Sequence, residues 1–131
     1  MSSPLSESSP ASNQAINLTG PGLAVAVVQL VSKLSVKDNL LEAALQIQRA
    51  SLKGAKLIML PESFAVFGDP QMVLYGAEAA VPKQGLRLWL SQQAKANKVW
   101  LIGGTIPCQQ GIRDPKKVRS ACFVYDHEGL K

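Results

Sequence analysis

Residues 54–64 read Gly54-Ala55-Lys56-Leu57-Ile58-Met59-Leu60-Pro61-Glu62-Ser63-Phe64. Residues 56–60 are apolar after the lysine and bounded by Gly54 and Pro61, the pattern of a short strand buried on both faces of a parallel sheet. Proline fixes one backbone dihedral and cannot donate to a ladder, so the strand stops there and Glu62 leaves the sheet at a defined point. In open α/β sheets, the edge at the carboxyl ends of the strands is where ligands bind. Leu60, Phe64 and Phe67 flank the carboxylate and are expected to lower the local dielectric. Desolvation raises a carboxyl pKa toward neutrality, as a general base requires. On these features alone, Glu62 reads equally as a general base and as a surface carboxylate that ends a strand.

Working outward, the Val-rich run at residues 23–30 is a second buried strand. Ser35 with Asp38 three residues on has the spacing of a capping box. Leu40, Leu41, Ala44, Leu45, Ile47 and Leu52 then recur at helical spacing, and Lys53 and Gly54 close that helix. Asp69-Pro70 starts a short helical stretch at residues 71–78. Leu86, Trp89, Leu90 and Ala94 mark a further helix ending near Asn97. Residues 99–102 form a third strand before Gly103-Gly104, residues 120–125 a fourth, and residues 126–129 a turn. The fold class is therefore α/β, with parallel neighbours in the first part and its helices on one face. The strands are apolar throughout, so the opposite face also needs a cover, which nothing in the chain obviously provides.

The chain has 131 residues, 47% of them hydrophobic, 5% aromatic and 18% charged. Such a composition suits one domain with an aliphatic core. Six serines in the first twelve positions, with Pro4, Pro10 and Pro21, point to a disordered tail over residues 1–21 and a folded domain over residues 22–131. Two cysteines are too few for a disulfide scaffold or a Cys-rich zinc site. His127 is the only histidine, so neither a multi-His metal site nor a Ser-His-Asp triad assembles around it. The net charge of +5 is scattered. Its one cluster, Arg113, Lys116, Lys117 and Arg119, contains Asp114 and no aromatic residue, so it reads as a solvated loop and not as a nucleic-acid surface. A nucleotide-binding Gly-rich turn does not follow the first strand. No charged start precedes an apolar h-region, and no apolar run approaches the roughly 20 residues of a membrane span. A cytoplasmic protein without a membrane partner is expected. Trp89 and Trp100 are expected in helix–sheet packing, Cys122 buried in its strand and Cys108 more exposed in a loop.

Several segments taken in order resemble the nitrilase superfamily, the carbon–nitrogen hydrolases. Val25-Ala26-Val27-Val28-Gln29 is similar to the family's opening strand, and Asn39-Leu40 begins its first helix. Residues 54–64 are the most specific match. Leu101-Ile102-Gly103-Gly104-Thr105-Ile106 resembles the strand leading into Gly-Gly-Ser/Thr. Residues 122–129 resemble the strand and turn of the form "vidpdG", although Ser120 stands where many relatives have Asn. The resemblance runs from about residue 23 to the last residue. It implies part of an α-β-β-α sandwich, incomplete in this chain, and homo-oligomers in the full-length protein. It also implies hydrolysis of a small amide or nitrile, closest to the amidase branch, without cofactor or metal. In that chemistry a Cys nucleophile, a Glu general base and a Lys act together. The resemblance carries the base role onto Glu62.

The other two roles find no residue here. The family's Lys lies in an aromatic-x-Lys segment beyond the "vidpdG" turn, and Lys131 arrives too early for it. The Cys elbow lies further on. Residues 22–131 are thus expected to be the amino-terminal part of a carbon–nitrogen hydrolase domain, inactive by itself. The alternative is an inactive truncated homologue that acts as a binding or assembly fragment.

Overall fold

The structure, a computed structural model, describes residues 15–18, 22–68 and 70–131. Five strands form the main sheet in the order β1-β2-β3-β4-β7: β1 is Ala15–Leu18, β2 Val25–Val28, β3 Leu57–Met59, β4 Trp100–Ile102 and β7 Val124–Tyr125. β5 (Ile106–Cys108) and β6 (Arg119–Ala121) form a separate antiparallel pair. The helices are α1 (Val36–Leu52), α2 (Gln71–Ala79) and α3 (Gly85–Asn97). β2, β3 and β4 run parallel, and β1 and β7 close the edges antiparallel. The α/β reading and its parallel first part hold, and the fold is part of an α-β-β-α sandwich of the nitrilase kind. Residues 15–18, assigned by sequence to the tail, instead pair with β2 and supply its outer ladder. The rest of that tail, residues 1–14 and 19–21, lies outside the described residues.

Registry places Ala26, Ile58, Leu101 and Tyr125 in one row across the sheet, and all four are buried. This row faces the helices, for α1 packs on β2, α3 packs on β4 and β7, and the two helices pack on each other. Burying an Ile or Leu in such a row contributes roughly 1.5–3 kcal/mol. The opposite face is different. Val27, Met59, Trp100 and Val124 are exposed, Trp100 by 49%. The strands are therefore not buried on both faces as the apolar runs implied. Trp100 lies on the open face and not in helix–sheet packing, because its register alternates with the buried Leu101. Trp89 is half-buried and tilts against Phe64 at 5.7 Å.

α1 starts where its cap dictates, with Asp38 N–H donating to Ser35 Oγ at 3.2 Å, and it ends at Lys53 before Gly54 at φ +100°. Its inner face is not the leucine stripe expected. Val36, Asn39, Ala43, Gln46, Ile47 and Ala50 are buried, whereas Leu41, Leu45 and Leu52 are exposed. Small Ala43 and Ala50 let the helix lie close on its neighbours, and Asn39 turns inward for the hydrogen bonds described below.

The expected strand over residues 120–125 is two strands. β6 pairs with β5, the chain then passes through Cys122 and Phe123, and β7 pairs with β4. Ile106–Cys108, read as loop, is the partner that captures β6. This break reverses both cysteines. Cys122 falls between strands and is exposed, while Cys108 is 2% exposed with Sγ 3.6 Å from the Ala79 carbonyl oxygen. α2 packs on β5 through Gly76, where a Cβ would come within 2.5 Å of Val118.

Candidate functional site

Glu62 lies one residue past Pro61, at the carboxyl edge of the parallel strands. The ladder carries on just beyond β3, since Leu60 N–H donates to the Ile102 carbonyl at 2.9 Å. Pro61 then ends it, as the sequence implies. The backbone on either side of Glu62 is held from two directions. From the end of β4, Gly104 takes φ +60° and lies so close that a Cβ there would be 2.8 Å from the Leu60 carbonyl oxygen and in collision with that of Pro61. Thr105 Oγ1 accepts from Ser63 N–H at 3.0 Å.

The other direction is the loop between β2 and α1. The single Ser32 hydroxyl proton is shared between the carbonyls of Ser63 (Oγ to O 2.9 Å) and Phe64 (3.2 Å). Asn39 Nδ2 donates to the carbonyls of Ala65 and Lys33, both at 2.8 Å, and Asn39 Oδ1 accepts from Lys33 N–H at 2.7 Å. Asn39 is buried, and its full satisfaction explains how a polar amide occupies the inner face of α1. Phe64, Ala65 and Val66 are buried behind the turn and anchor it in the core.

The side chain of Glu62 itself is exposed. The apolar shell expected around it is only half formed. Leu60 and Phe64 point into the core, and Phe67 is 59% exposed. A depression of about 450 Å³ lies on the same edge, lined by Val27, Gln29, Leu30, Val31, Met59 and Pro61. The arrangement can present a carboxylate, on a rigid backbone, to a group that must lose a proton.

Sequence reasoning picks out Glu62 but misses Ser32, Asn39 and Thr105 as the groups that hold its turn. Thr105 had a usable signal, because Gly103-Gly104 before it announces a close backbone approach. Ser32 and Asn39 carry no such local mark, since their partners lie 26 to 32 residues away. Lys131 is exposed, with Nζ 5.7 Å from the centroid of the Phe123 ring. His127 is exposed in its turn, 3.7 Å from the Glu128 carboxylate. Among the described residues, no group of three or more His, Cys, Asp or Glu side chains is placed to hold a metal ion, and no helix is long and apolar enough to cross a membrane.

The profile of the family described as carbon–nitrogen hydrolase matches residues 24–130. Omega-amidase NIT2-B of Xenopus laevis is 35% identical over 107 residues, 80% of this chain and 36% of that protein. Omega-amidase NIT2 of Homo sapiens is 33% identical with the same coverage. The chain thus spans about a third of the length of these curated relatives. Among solved structures, Nit3 of Saccharomyces cerevisiae, a member of branch 10 of the nitrilase superfamily, has a TM-score of 0.67 and 31% identity, covering 92% of this chain and 43% of that one. An amidase from Nesterenkonia sp. shares the fold at a TM-score of 0.66 and 22% identity, covering 88% of this chain and 42% of that one.

Proposed function

The chain belongs to the carbon–nitrogen hydrolase family, and from that premise we propose that the protein hydrolyses a small amide or nitrile with Glu62 as general base. The observation that carries this is the backbone held on both sides of Glu62 at the carboxyl edge of β2, β3 and β4. The omega-amidase relatives support an amide before a nitrile.

In this reading Glu62 takes the proton of a cysteine thiol, and the thiolate sulfur bonds to the amide carbon. The C–N bond then breaks, ammonia leaves with the proton, and water, deprotonated by the same carboxylate, releases the acid and restores the thiol. A lysine ammonium stabilises the negative oxygen of each tetrahedral intermediate. The resemblance sets that cysteine and lysine beyond these 131 residues. Buried Cys108 is no substitute, and Lys131 comes too early. The 131 residues alone are accordingly read as inactive. The full-length protein is read as a cytoplasmic homo-oligomer, in keeping with two free cysteines and with the resemblance.

The test is ammonia release from small linear amides by the full-length protein. Glu62→Gln is expected to lower kcat by about 10²–10⁴-fold, the usual contribution of a general base. An unchanged rate overturns the proposal. A second reading, an inactive assembly fragment, is favoured by the open sheet face carrying Val27, Met59, Trp100 and Val124. It requires that the 131-residue polypeptide form a stable complex while no amide is turned over.

A further inference from the structure

Ser63, the residue after Glu62, takes φ +51°. An L-residue in the left-handed region is strained and is held there by its surroundings. Two hydroxyls do so here, each from a different loop. Thr105 Oγ1 accepts the Ser63 N–H, and Ser32 Oγ donates to the Ser63 carbonyl. The Ser63 N–H belongs to the same planar peptide as the Glu62 carbonyl. Fixing that N–H therefore fixes the rotation about the Glu62 Cα–C bond, and with it the direction in which the Glu62 side chain leaves the backbone. Among the described residues no hydrogen bond or ion pair holds the Glu62 carboxylate, so the held peptide is what fixes where its side chain leaves the backbone.

Thr105 is well placed to impose that direction because it is itself held. Gly103 N–H donates to the Phe123 carbonyl at 2.9 Å, Gly104 is pressed against the carbonyls of Leu60 and Pro61, and Ile106 enters β5 paired with Ala121. These anchors do not use the Thr105 hydroxyl. The Ser63 peptide is what uses the oxygen.

We infer that Thr105 is a positioning residue for Glu62, its hydroxyl setting the peptide from which the carboxylate is presented to the reacting proton. The inference rests on the reading of Glu62 as general base. It is tested in the full-length protein by steady-state amide hydrolysis and thermal unfolding of Thr105→Val, Thr105→Ser and Glu62→Gln. Thr105→Val keeps the shape and loses the acceptor. Its kcat is expected to fall about 10²-fold with KM within about twofold, the order that an ångström of misplacement costs. Thr105→Ser keeps the acceptor and is expected to restore kcat to within about fivefold. Should Thr105→Val not fold, Thr105→Ala makes the same comparison with Thr105→Ser. Wild-type kcat in the variant without the hydroxyl, or an equal loss in Thr105→Ser, overturns the inference, since either outcome makes the oxygen irrelevant. The two failures separate through Glu62→Gln. If that variant is inactive and Thr105→Val is unaffected, only the positioning inference falls. If Glu62→Gln keeps its activity, the base reading falls and the inference with it.

Discussion

Asn39 joins two loops that meet only in the folded chain, one before α1 and one after Glu62. Its three hydrogen bonds are all to backbone groups, and it is buried. Asn39→Ala leaves a donor and two acceptors short of partners, at about 3 kcal/mol by the usual cost of orphaned buried groups. Denaturant unfolding of the two proteins checks this, and a loss below about 1 kcal/mol rejects the proposed hub. Asp126 offers a second test at this scale. Its carboxylate accepts the N–H groups of Leu130 (3.0 Å) and Glu128 (2.9 Å). The Leu130 bond is the largest influence, opposed by partial desolvation and aided by the Glu128 bond and by His127, and the carboxyl lies below the usual aspartate range. A folded pKa below the unfolded one means stability that is present above the unfolded value and lost as pH falls through the folded one. Thermal midpoints below about pH 4 should thus fall more steeply for the wild type than for Asp126→Asn. Parallel profiles contradict the assignment. The two carboxylates differ in how far sequence could reach. The turn at residues 126–129 is legible because its bonds are local. Glu62 is legible as a strand-exit residue from Pro61 and Thr105 is marked by Gly103-Gly104, but Ser32 and Asn39 are not legible, because their partners come from distant loops.

Helix boundaries follow from local chemistry, and helix orientation does not. Ser35 and Gly54 mark the ends of α1 in the sequence as they do in the structure. Ser35→Ala is expected to cost about 1 kcal/mol, the ordinary value of an N-cap, read from the denaturation midpoint. The leucine stripe, by contrast, misleads, because hydrophobicity alone cannot foresee that α1 turns two alanines and two amides inward. A paired substitution tests which face is buried. Ile47→Ala should cost about 3 kcal/mol, as a core truncation does. Leu52→Gln, at a position 81% exposed, should stay within about 0.5 kcal/mol. Comparable losses at the two positions contradict the observed orientation. The short strands show the same division. β2, β3 and β4 are legible as apolar runs bounded by Gly and Pro. The break at Cys122 and Phe123 is not, because it arises from competition between β5 and β4 for the same stretch, a long-range contest with no local signature.

At the scale of the whole molecule, the helix-facing row of the sheet is packed and the opposite row is not. Val27, Met59, Trp100 and Val124 expose a continuous apolar surface across β2, β3, β4 and β7. Soluble monomers seldom present such contiguous surface, which marks a place meant to be covered. The net charge of +5 is too small and too dispersed to keep copies of the chain apart by repulsion. The 131-residue chain prepared alone is therefore expected to self-associate or bind an apolar dye. Replacing Val27 and Met59 together by lysine should reduce both association and dye binding. The double variant should still melt cooperatively, because the buried row of Ala26, Ile58, Leu101 and Tyr125 and its helices are untouched. Light scattering and dye titration decide the matter. A monodisperse monomer that ignores the dye, before any substitution, contradicts the open face. Association that survives the two lysines moves the contact to another apolar exposure, such as the ridge of Leu41, Leu45 and Leu52 on α1.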